Sequence, residues 1–374
     1  MNLTSSIIKA FGGNSPYQEL TLLPAKELSR SNNIVFIWID GLGYELLKKF
    51  GQNTTLLKFL KGCITSVFPT DTSSCSATFL TGEAPQQHGI SGWHVYLKEL
   101  GLVAKILHFR PRYCKDSLTK QGVDPKWIFD RQSIFDKLNA ESYYLNPTFL
   151  NDSAISNAYL GKAKKCLYND EAESLEMIRT ILSQNSNRKY IFAYLPELDS
   201  KCHKFSIESP EVKDYLLKLD KSFNNLINSN LPSNTTIIVS SDHGLVDKDQ
   251  KMVLDLDQHL RLKETLVLPR TGTSRVLYCY VKPDKTKQFV DYVTNSLSHM
   301  CDLFESKELL EKNYFGLYEP SKKLLERIGD YTLIMKGNSS VYDRLPGEEL
   351  VTINALHGGL SDEELFVPLV VFHT

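Results

Sequence analysis

Short apolar runs recur along the chain and alternate with segments of helical periodicity. The run from Asn33 to Ile39 is continuous and rich in branched residues, as in a strand buried on both faces, and it ends at Asp40. Similar strand-like runs occupy residues 64–68, 190–195, 235–240, 276–281, 331–335 and 366–372. This alternation predicts an α/β fold in which a central, mainly parallel sheet is flanked by helices.

The clearest helical pattern follows Ser209, Pro210 and Glu211, which suit an N-cap and a first helical turn. Apolar residues then recur at helical spacing, at Val212, Tyr215, Leu216, Leu219, Phe223, Leu226 and Ile227. One face of this helix is therefore predicted to pack on the sheet.

The sequence contains no internal repeat, low-complexity tract or linker rich in proline and glycine. We therefore expect residues 1–374 to form a single domain. Two segments, at about 93–135 and 255–345, contribute none of the candidate ligands described below. We predict that these insertions form a lid or small subdomain that faces a substrate.

Composition and charge argue against several classes of protein. The chain is 42% hydrophobic and 23% charged, with a formal net charge of −1, so neither a nucleic-acid polymer nor an anionic membrane is an expected partner. The apolar runs are shorter than the roughly 20 residues that cross a bilayer, and no signal peptide is recognised at the start. The seven cysteines form no C-x-x-C pair and suit a reducing compartment. We expect a cytoplasmic protein, while secretion by a non-classical route and the oligomeric state stay open.

Acidic residues and histidines follow several of the predicted strands. Asp40 closes the first strand, Asp242 and His243 close the strand at 235–240, and Asp199 precedes His203 by one helical turn. His357 stands before two glycines, which let the backbone come close to a metal or a phosphate. Each motif alone has a simpler reading, as a surface pair, a capping residue or a glycine turn.

Together these six side chains form a mixed oxygen and nitrogen set. Such a set suits Zn²⁺ best and Mn²⁺ or Mg²⁺ less well. Two divalent ions are more plausible than one, because one ion can activate an attacking oxygen while the other polarises a phosphoryl group. The sequence therefore predicts a metal centre at the carboxyl edge of the sheet.

Thr72 is the candidate nucleophile. The segment after it, Ser73 to Leu80, has the length of a short helix, which would place Thr72 at a helix N-terminus where N–H groups attract an anion. A free alcohol attacks poorly near neutral pH unless a base or a metal stabilises the alkoxide. The alternative is a simple helix cap, and Thr70, Ser73 and Ser74 are competing hydroxyls.

In this pattern the chain resembles the nucleotide pyrophosphatase/phosphodiesterase family of the alkaline phosphatase superfamily, particularly its bacterial single-domain members. The resemblance runs from about Tyr17 to Phe372. Its landmarks stand in family order: Ile39-Asp40-Gly41, Phe68-Pro69 through Thr72, Thr81-Gly82 through His88-Gly89-Ile90, Glu197 with Asp199 and His203, Asp242-His243-Gly244, His357-Gly358-Gly359-Leu360 and Val367-Pro368-Leu369.

The resemblance implies an alkaline-phosphatase-like domain with a dinuclear zinc site. One metal would be held by Asp40, Thr72, Asp242 and His243, and the other by Asp199, His203 and His357. Thr72 would attack phosphorus and form a phospho- or nucleotidyl-threonine, which a metal-activated water would then hydrolyse.

One position departs from the family pattern. Animal members place a phosphate-binding Asn three residues beyond the Ile of the His-Gly-Ile motif, where this chain has Trp93. Trp93 could stack on a base or a lipid headgroup, or simply pack. Basic residues that could replace the missing donor are His108, Arg110 and Arg112 in the first insertion, and Arg270 and Arg275 in the second.

The leading hypothesis is a zinc-dependent hydrolase of phosphodiester or pyrophosphate bonds in a small phosphorylated molecule, such as a nucleotide. A first alternative uses the same two metals as a phosphomonoesterase or phosphoryl transferase. A second is an inactive protein that binds a phosphorylated ligand.

Overall fold

The structure, a computed structural model, describes residues 1–348 and 352–374. The strands, in chain order, are β1 (Asn33–Ile39), β2 (Leu60–Thr65), β3 (His94–Leu97), β4 (Leu102–Lys105), β5 (Arg110–Pro111), β6 (Glu141–Pro147), β7 (Lys164–Tyr168), β8 (Lys189–Leu195), β9 (Thr235–Ser240), β10 (Val246–Asp247), β11 (Val253–Asp255), β12 (Thr271–Gly272), β13 (Val276–Cys279), β14 (Cys301–Glu305), β15 (Tyr331–Met335), β16 (Ser340–Tyr342), β17 (Ala355–Leu356) and β18 (Phe366–His373).

The α-helices between them are α1 (Asn2–Ala10), α2 (Ala25–Leu28), α3 (Tyr44–Phe50), α4 (Thr55–Lys58), α5 (Thr72–Thr81), α6 (Pro85–His88), α7 (Ile134–Lys137), α8 (Ala154–Ala158), α9 (Glu171–Ser183), α10 (Glu197–Phe205), α11 (Pro210–Ile227), α12 (Leu260–Lys263), α13 (Thr286–Tyr292), α14 (Ser306–Glu311), α15 (Lys322–Arg327) and α16 (Asp362–Leu365).

A seven-stranded sheet forms the centre of the molecule, in the order β2-β18-β9-β1-β8-β6-β7. β1 pairs in parallel with β8 on one side and with β9 on the other, and β18 runs antiparallel to its neighbours β9 and β2. The predicted α/β fold with a mainly parallel central sheet is confirmed.

Both faces of this sheet are covered, which explains why its strands read as continuous apolar runs. Alternate residues of β1 enter different cores: Phe36 and Trp38 pack on one face with α1 and α5, while Val35 and Ile37 pack on the other with α9 and α11. Helix α11 begins after Ser209, whose side chain caps the Val212 amide as predicted.

The strand predicted at 64–68 is wrong in its bounds. β2 ends at Thr65, and the residues after it form the loop that leads into α5. Phe68 leaves the ladder because its ring packs against Tyr314 and Phe315, outside the central sheet.

A second seven-stranded sheet is built from the two segments at 93–135 and 255–345. Its order is β14-β15-β13-β12-β3-β4-β5, and all its pairings are antiparallel. β12 joins the two segments, because Gly272 pairs with His94 of β3. Two segments distant in sequence therefore form one structural unit.

Among helices of the described residues, none has both the length and the apolarity to cross a bilayer. All seven cysteines lie within the described ranges and are unpaired.

Adjacent leucines on α11 provide a test of the packing. Leu216 is fully buried whereas Leu217 is 40% exposed. We expect Leu216→Ala to lower the free energy of unfolding by about 2–5 kcal/mol, through lost apolar contact and a cavity. Leu217→Ala, the matched control, should cost less than about 1 kcal/mol. Urea denaturation followed by circular dichroism measures both, and equal losses would contradict the predicted face of the helix.

Candidate active site

Three carboxylates converge at the carboxyl edge of the central sheet. Asp40 directly follows β1, Asp242 lies just beyond β9, and Asp199 is in the first turn of α10, which follows β8. They meet because β1 lies between β8 and β9. Gly41 allows the close approach: its φ is +74°, and a Cβ there would lie 3.0 Å from the Cα and Cβ of Asp199.

The three predicted histidines lie at the same edge, and each is oriented by a backbone carbonyl. The Nδ1 atoms of His203, His243 and His357 lie 2.7, 3.1 and 3.0 Å from carbonyl oxygens of Ala355, Gly244 and Thr70 respectively. A carbonyl oxygen only accepts, so each Nδ1 donates its proton. Their Nε2 atoms are therefore left for the site, as is usual for histidines that ligate metals.

The donor atoms form two overlapping clusters. Asp40, Asp242 and His243 make one, and Asp199, His243 and His357 the other, with donor atoms within 4.8 Å of one another in each. The rings of His243 and His357 stack at 3.7 Å between centroids, which brings the clusters together. His203 joins the second cluster through Asp199, with 3.2 Å between Nε2 and Oδ2.

The chemistry of these donors fits divalent cations. Oδ1 of Asp40, Oδ1 of Asp199 and Oδ2 of Asp242 are buried and lack hydrogen-bond partners among the described residues. Burial, followed by the charges of Asp242 and Asp199, raises the pKa of Asp40 well above its ordinary value. A cation among these oxygens would remove both penalties.

The pair formed by Asp199 and His203 behaves differently. Burial opposes ionisation of Asp199, but the charge of His203 outweighs it and lowers the pKa of Asp199. Burial likewise opposes protonation of His203, yet the carboxylate of Asp199 raises the pKa of His203 to about 9. Burial and then the charge of His243 lower the pKa of His357 to about 4, so that ring is neutral near pH 7.

Thr72 is the first residue of α5, and Asp71 is its N-cap. The Thr72 hydroxyl is buried and lies 3.2 Å from Nε2 of His243. The competing hydroxyls are engaged elsewhere. Thr70 donates to the Gly359 carbonyl, Ser73 bonds its neighbour Asp71, and Ser74 donates to the Ile90 carbonyl. Thr72 is thus the hydroxyl of this turn that faces the donor cluster.

Arg275, predicted as a possible substrate ligand, lies away from the cavities beside Thr72. It is fully buried and pairs with Glu364 at 2.9 Å, and it also donates to the carbonyls of Gly337 and Ser339. Glu364 in turn accepts from the Gly359 amide at 2.8 Å and completes the predicted capping box with Ser361. In this structure Arg275 supports the loop that carries His357.

Two cavities open beside Thr72. The basic chamber, about 470 Å³, is lined by charged residues that include Lys105, Arg110, Arg112, Lys248, Arg270, Asp343, Arg344 and Glu348. The apolar chamber, about 380 Å³, is lined by residues that include Trp38, Leu80, Leu107, Tyr144, Phe149, Ile155 and Tyr194. Thr72, Asp199, Trp93 and His108 line both chambers, with the rings of Trp93 and His108 edge to face at 5.2 Å.

Sequence reasoning missed two contributors to this site. Tyr194 donates its hydroxyl to Oδ2 of Asp40 at 2.5 Å, and it lies in β8, whose apolar pattern gives no sign of that role. His94 lines the basic chamber next to Trp93. Its place at the start of a short strand in the predicted insertion was the available signal.

Known proteins resemble this chain in sequence and in structure. Human ectonucleotide pyrophosphatase/phosphodiesterase family member 7 is 25% identical over 198 residues, which are 50% of this chain and 41% of that protein. The chain thus matches less than half the length of this curated relative.

Solved structures share the fold. Murine ectonucleotide pyrophosphatase/phosphodiesterase 5 aligns with a TM-score of 0.69 and 18% identity, over 91% of this chain and 88% of that one. An inactive form of the same murine protein, in complex with AMP, aligns with a TM-score of 0.67 and 18% identity, over 90% of this chain and 87% of that one. Phosphonoacetate hydrolase from Sinorhizobium meliloti 1021, in complex with phosphonoformate, aligns with a TM-score of 0.66 and 17% identity, over 90% of this chain and 89% of that one.

A family model supplies the assignment. The model of type I phosphodiesterase / nucleotide pyrophosphatase matches residues 34–360, a span that contains Thr72 and all six candidate metal ligands. This is most of the chain, and the resemblance inferred from the sequence motifs is confirmed. The chain therefore belongs to the type I phosphodiesterase / nucleotide pyrophosphatase family, a family of metalloenzymes in the alkaline phosphatase superfamily.

Proposed function

We propose that this protein is a zinc-dependent hydrolase of phosphodiester or pyrophosphate bonds in a small phosphorylated molecule. The observation that carries the proposal is the position of Thr72, at the N-terminus of α5 and 3.2 Å from a histidine of the candidate metal clusters. Family membership supports the same reaction class.

Seven side chains would hold two divalent ions. Asp40, Thr72, Asp242 and His243 are assigned to one ion, and Asp199, His203 and His357 to the other. The two donor clusters support this division in part: Asp40 and Asp242 fall in one, Asp199 and His357 in the other, and His243 is shared. His203 is added because it contacts Asp199. Zn²⁺ suits this mixed oxygen and nitrogen set best, with Mn²⁺ and Mg²⁺ as alternatives. Bound ions would stabilise the alkoxide form of a hydroxyl and the negative charge on phosphoryl oxygens.

Thr72 is assigned the nucleophilic step. Its Oγ gives up its proton to solvent water and forms a bond to phosphorus while the bond from phosphorus to the leaving oxygen breaks. The leaving group departs with that electron pair. The product is a phospho- or nucleotidyl-threonine. Water then attacks the same phosphorus, restores the threonine hydroxyl and releases the phosphorylated product. The side chain of the N-cap Asp71 accepts from the Ser73 amide at the start of α5, so this helix end would favour the phosphoryl charge mainly through its dipole.

The two chambers favour a diester over a monoester. A phosphodiester has two substituents on phosphorus, and the basic and apolar chambers meet beside Thr72, where each could hold one. A nucleotide fits this arrangement, because its base and sugar could occupy the apolar chamber. The AMP complex of the murine structural neighbour supports this choice of substrate class.

Replacing the nucleophile should remove turnover but not metal binding. We expect Thr72→Ala to lower kcat for bis(4-nitrophenyl) phosphate by about 10³-fold or more, because the attacking oxygen is lost. Ser74→Ala, the matched control, removes a nearby hydroxyl that bonds the Ile90 carbonyl and should keep most of the activity. Release of 4-nitrophenolate, with bound zinc measured by mass spectrometry, tests both. Equal activity of wild type and Thr72→Ala would disprove the assignment, and inactive wild type that binds zinc would favour a binding protein.

Metal removal should abolish hydrolysis reversibly. Dialysis against a chelator is expected to reduce the rate to the uncatalysed level, because the alkoxide and the phosphoryl charge lose their stabilisation. Zn²⁺ should restore more activity than Mn²⁺ or Mg²⁺ at equal concentration. Activity that survives chelation with no residual metal would rule out the metal-dependent mechanism.

Substrate preference distinguishes the first alternative. We expect kcat/KM for bis(4-nitrophenyl) phosphate to exceed that for 4-nitrophenyl phosphate by about tenfold or more, since a monoester leaves one chamber empty. The same zinc-loaded preparation serves both assays. A preference for the monoester would instead identify a phosphomonoesterase or phosphoryl transferase.

A further inference from the structure

The basic chamber contains more cationic than anionic side chains. Away from the candidate metal ligands, its cationic lining is Lys105, Arg110, Arg112, Lys248, Arg270 and Arg344. Its carboxylates away from those ligands are Asp71, Asp343 and Glu348. Asp343 and Glu348 lie 2.6 and 2.9 Å from Nη2 of Arg112, and Asp343 also pairs with Arg270. Glu348 also lies 3.1 Å from Nζ of Lys105. An excess of positive charge is left in a cavity that adjoins Thr72.

Sheet register places part of this charge in one row. Lys105 of β4 lies opposite His94 of β3 on one side and opposite Arg110 of β5 on the other. Directly opposed residues of antiparallel strands project from the same face, and like charges opposed in this way are unfavourable. The electrostatic repulsion between Lys105 and Arg110 is therefore unfavourable, and an anion between them would offset it.

Buried N–H groups of the same chamber lack acceptors. Nε of Arg110 has no hydrogen-bond partner among the described residues. Nε of Arg270 makes no hydrogen bond there either, but it lies 3.4 Å from Oδ1 of Asp343, and this ion pair offsets part of its charge. Nδ1 of His94 lies 3.4 Å from Nη2 of Arg270, and because arginine only donates, the proton of a neutral His94 is on Nε2. His94 is neutral since burial and then the nearby arginines lower its pKa well below the ordinary value. Its buried Nε2 also lacks a partner within the described ranges.

The unpaired hydrogen-bond donors of the basic chamber indicate which chemical group would bind there. Arginine and lysine side chains offer only donors, so a group that completes their hydrogen bonds must be an acceptor. Phosphate and carboxylate groups are acceptors whose geometry matches the guanidinium fork. A neutral substituent would leave these donors buried and unpaired.

We propose that the row of His94, Lys105 and Arg110, together with Arg270, binds a second anionic group of the substrate, separate from the phosphoryl group that Thr72 attacks. This inference rests on the proposed function and narrows its substrate class. The substrate is a small phosphodiester or pyrophosphate that carries a further phosphate or carboxylate on the substituent in the basic chamber. Arg110 contributes most to this selection, because its guanidinium is opposed to Lys105 in the row and its Nε lacks an acceptor.

Matched synthetic diesters test the proposal. The neutral probe is 4-nitrophenyl phenyl phosphate, and the anionic probes carry a 3-carboxylate or a 3-phosphonate on the phenyl ring. Wild type should prefer an anionic probe by about tenfold or more in kcat/KM, mainly through KM, as expected for charge-assisted hydrogen bonds. The larger effect of the two anionic probes identifies a carboxylate or a phosphate as the natural group.

Arg110→Gln should reduce that preference to less than about twofold, because turnover of the anionic probes falls much more than turnover of the neutral diester. Arg110→Lys should keep part of the preference, since the charge remains while the fork is lost. Arg261→Gln removes an exposed arginine outside the chamber and serves as the control. Equal turnover of all probes by wild type, or an equal loss on neutral and anionic probes in Arg110→Gln, would overturn the proposal.

Binding separates failure of the subsite from failure of the proposed hydrolysis. In the zinc-loaded Thr72→Ala background, calorimetry should detect about tenfold weaker binding of the anionic diester when Arg110→Gln is added, and a clearly smaller loss for the neutral one. If the neutral diester is never hydrolysed but the difference in binding between the two diesters persists, the proposed hydrolase function is wrong and the anion subsite is supported. If hydrolysis occurs without this difference, the subsite is wrong.

Discussion

Mutual repulsion among two buried carboxylates and one partly buried carboxylate is the interaction on which the rest of the site depends. Strands β9, β1 and β8 bring Asp242, Asp40 and Asp199 to one edge of the sheet, where burial removes the water that would screen them. Folded proteins have little stability to spare, so such crowding requires compensation. Tyr194 and the Gly41 amide supply part of it through hydrogen bonds to Asp40 and Asp242. The oxygens left without donors are those that a divalent cation would neutralise.

Hydrogen bonds that orient the candidate ligands also connect segments far apart in sequence. His203 is oriented by the carbonyl of Ala355, and the Thr70 carbonyl orients His357. The Thr70 hydroxyl further ties the loop before α5 to Gly359. The loop that carries Thr72 and the loop that carries His357 are thus held to each other by hydrogen bonds rather than by a strand ladder. A disturbance of either loop would move both the candidate nucleophile and a candidate ligand. The buried pair of Arg275 and Glu364 therefore matters although it lies outside the cavities.

The central sheet and the candidate ligands were predictable because both follow from local patterns. Apolar runs mark strands covered on both faces, and polar residues that follow them must lie at the carboxyl edge. The strand at 64–68 was misplaced because Phe68 was taken as a strand residue. Its apolar ring instead packs against Phe315, outside the central sheet. The second sheet could not be derived, since its short strands are joined by pairings such as Gly272 with His94 that no local pattern encodes. Arg275 was misjudged for the same reason, because its partner Glu364 is distant in sequence.

The two sheets contribute different parts of the site. The central sheet positions the donor clusters, whose crowding tolerates little change. The second sheet contributes Trp93, His94 and Lys105 from strands or loops that hold none of the candidate ligands. Side chains there can vary without moving Asp40 or His243, so the lining of the chambers can change independently of the donor clusters. Trp93, which stands where the resemblance places an Asn in animal members, fits this division. Its ring forms part of the wall shared by the basic and apolar chambers, where it would help to distinguish the two substituents of the proposed substrate.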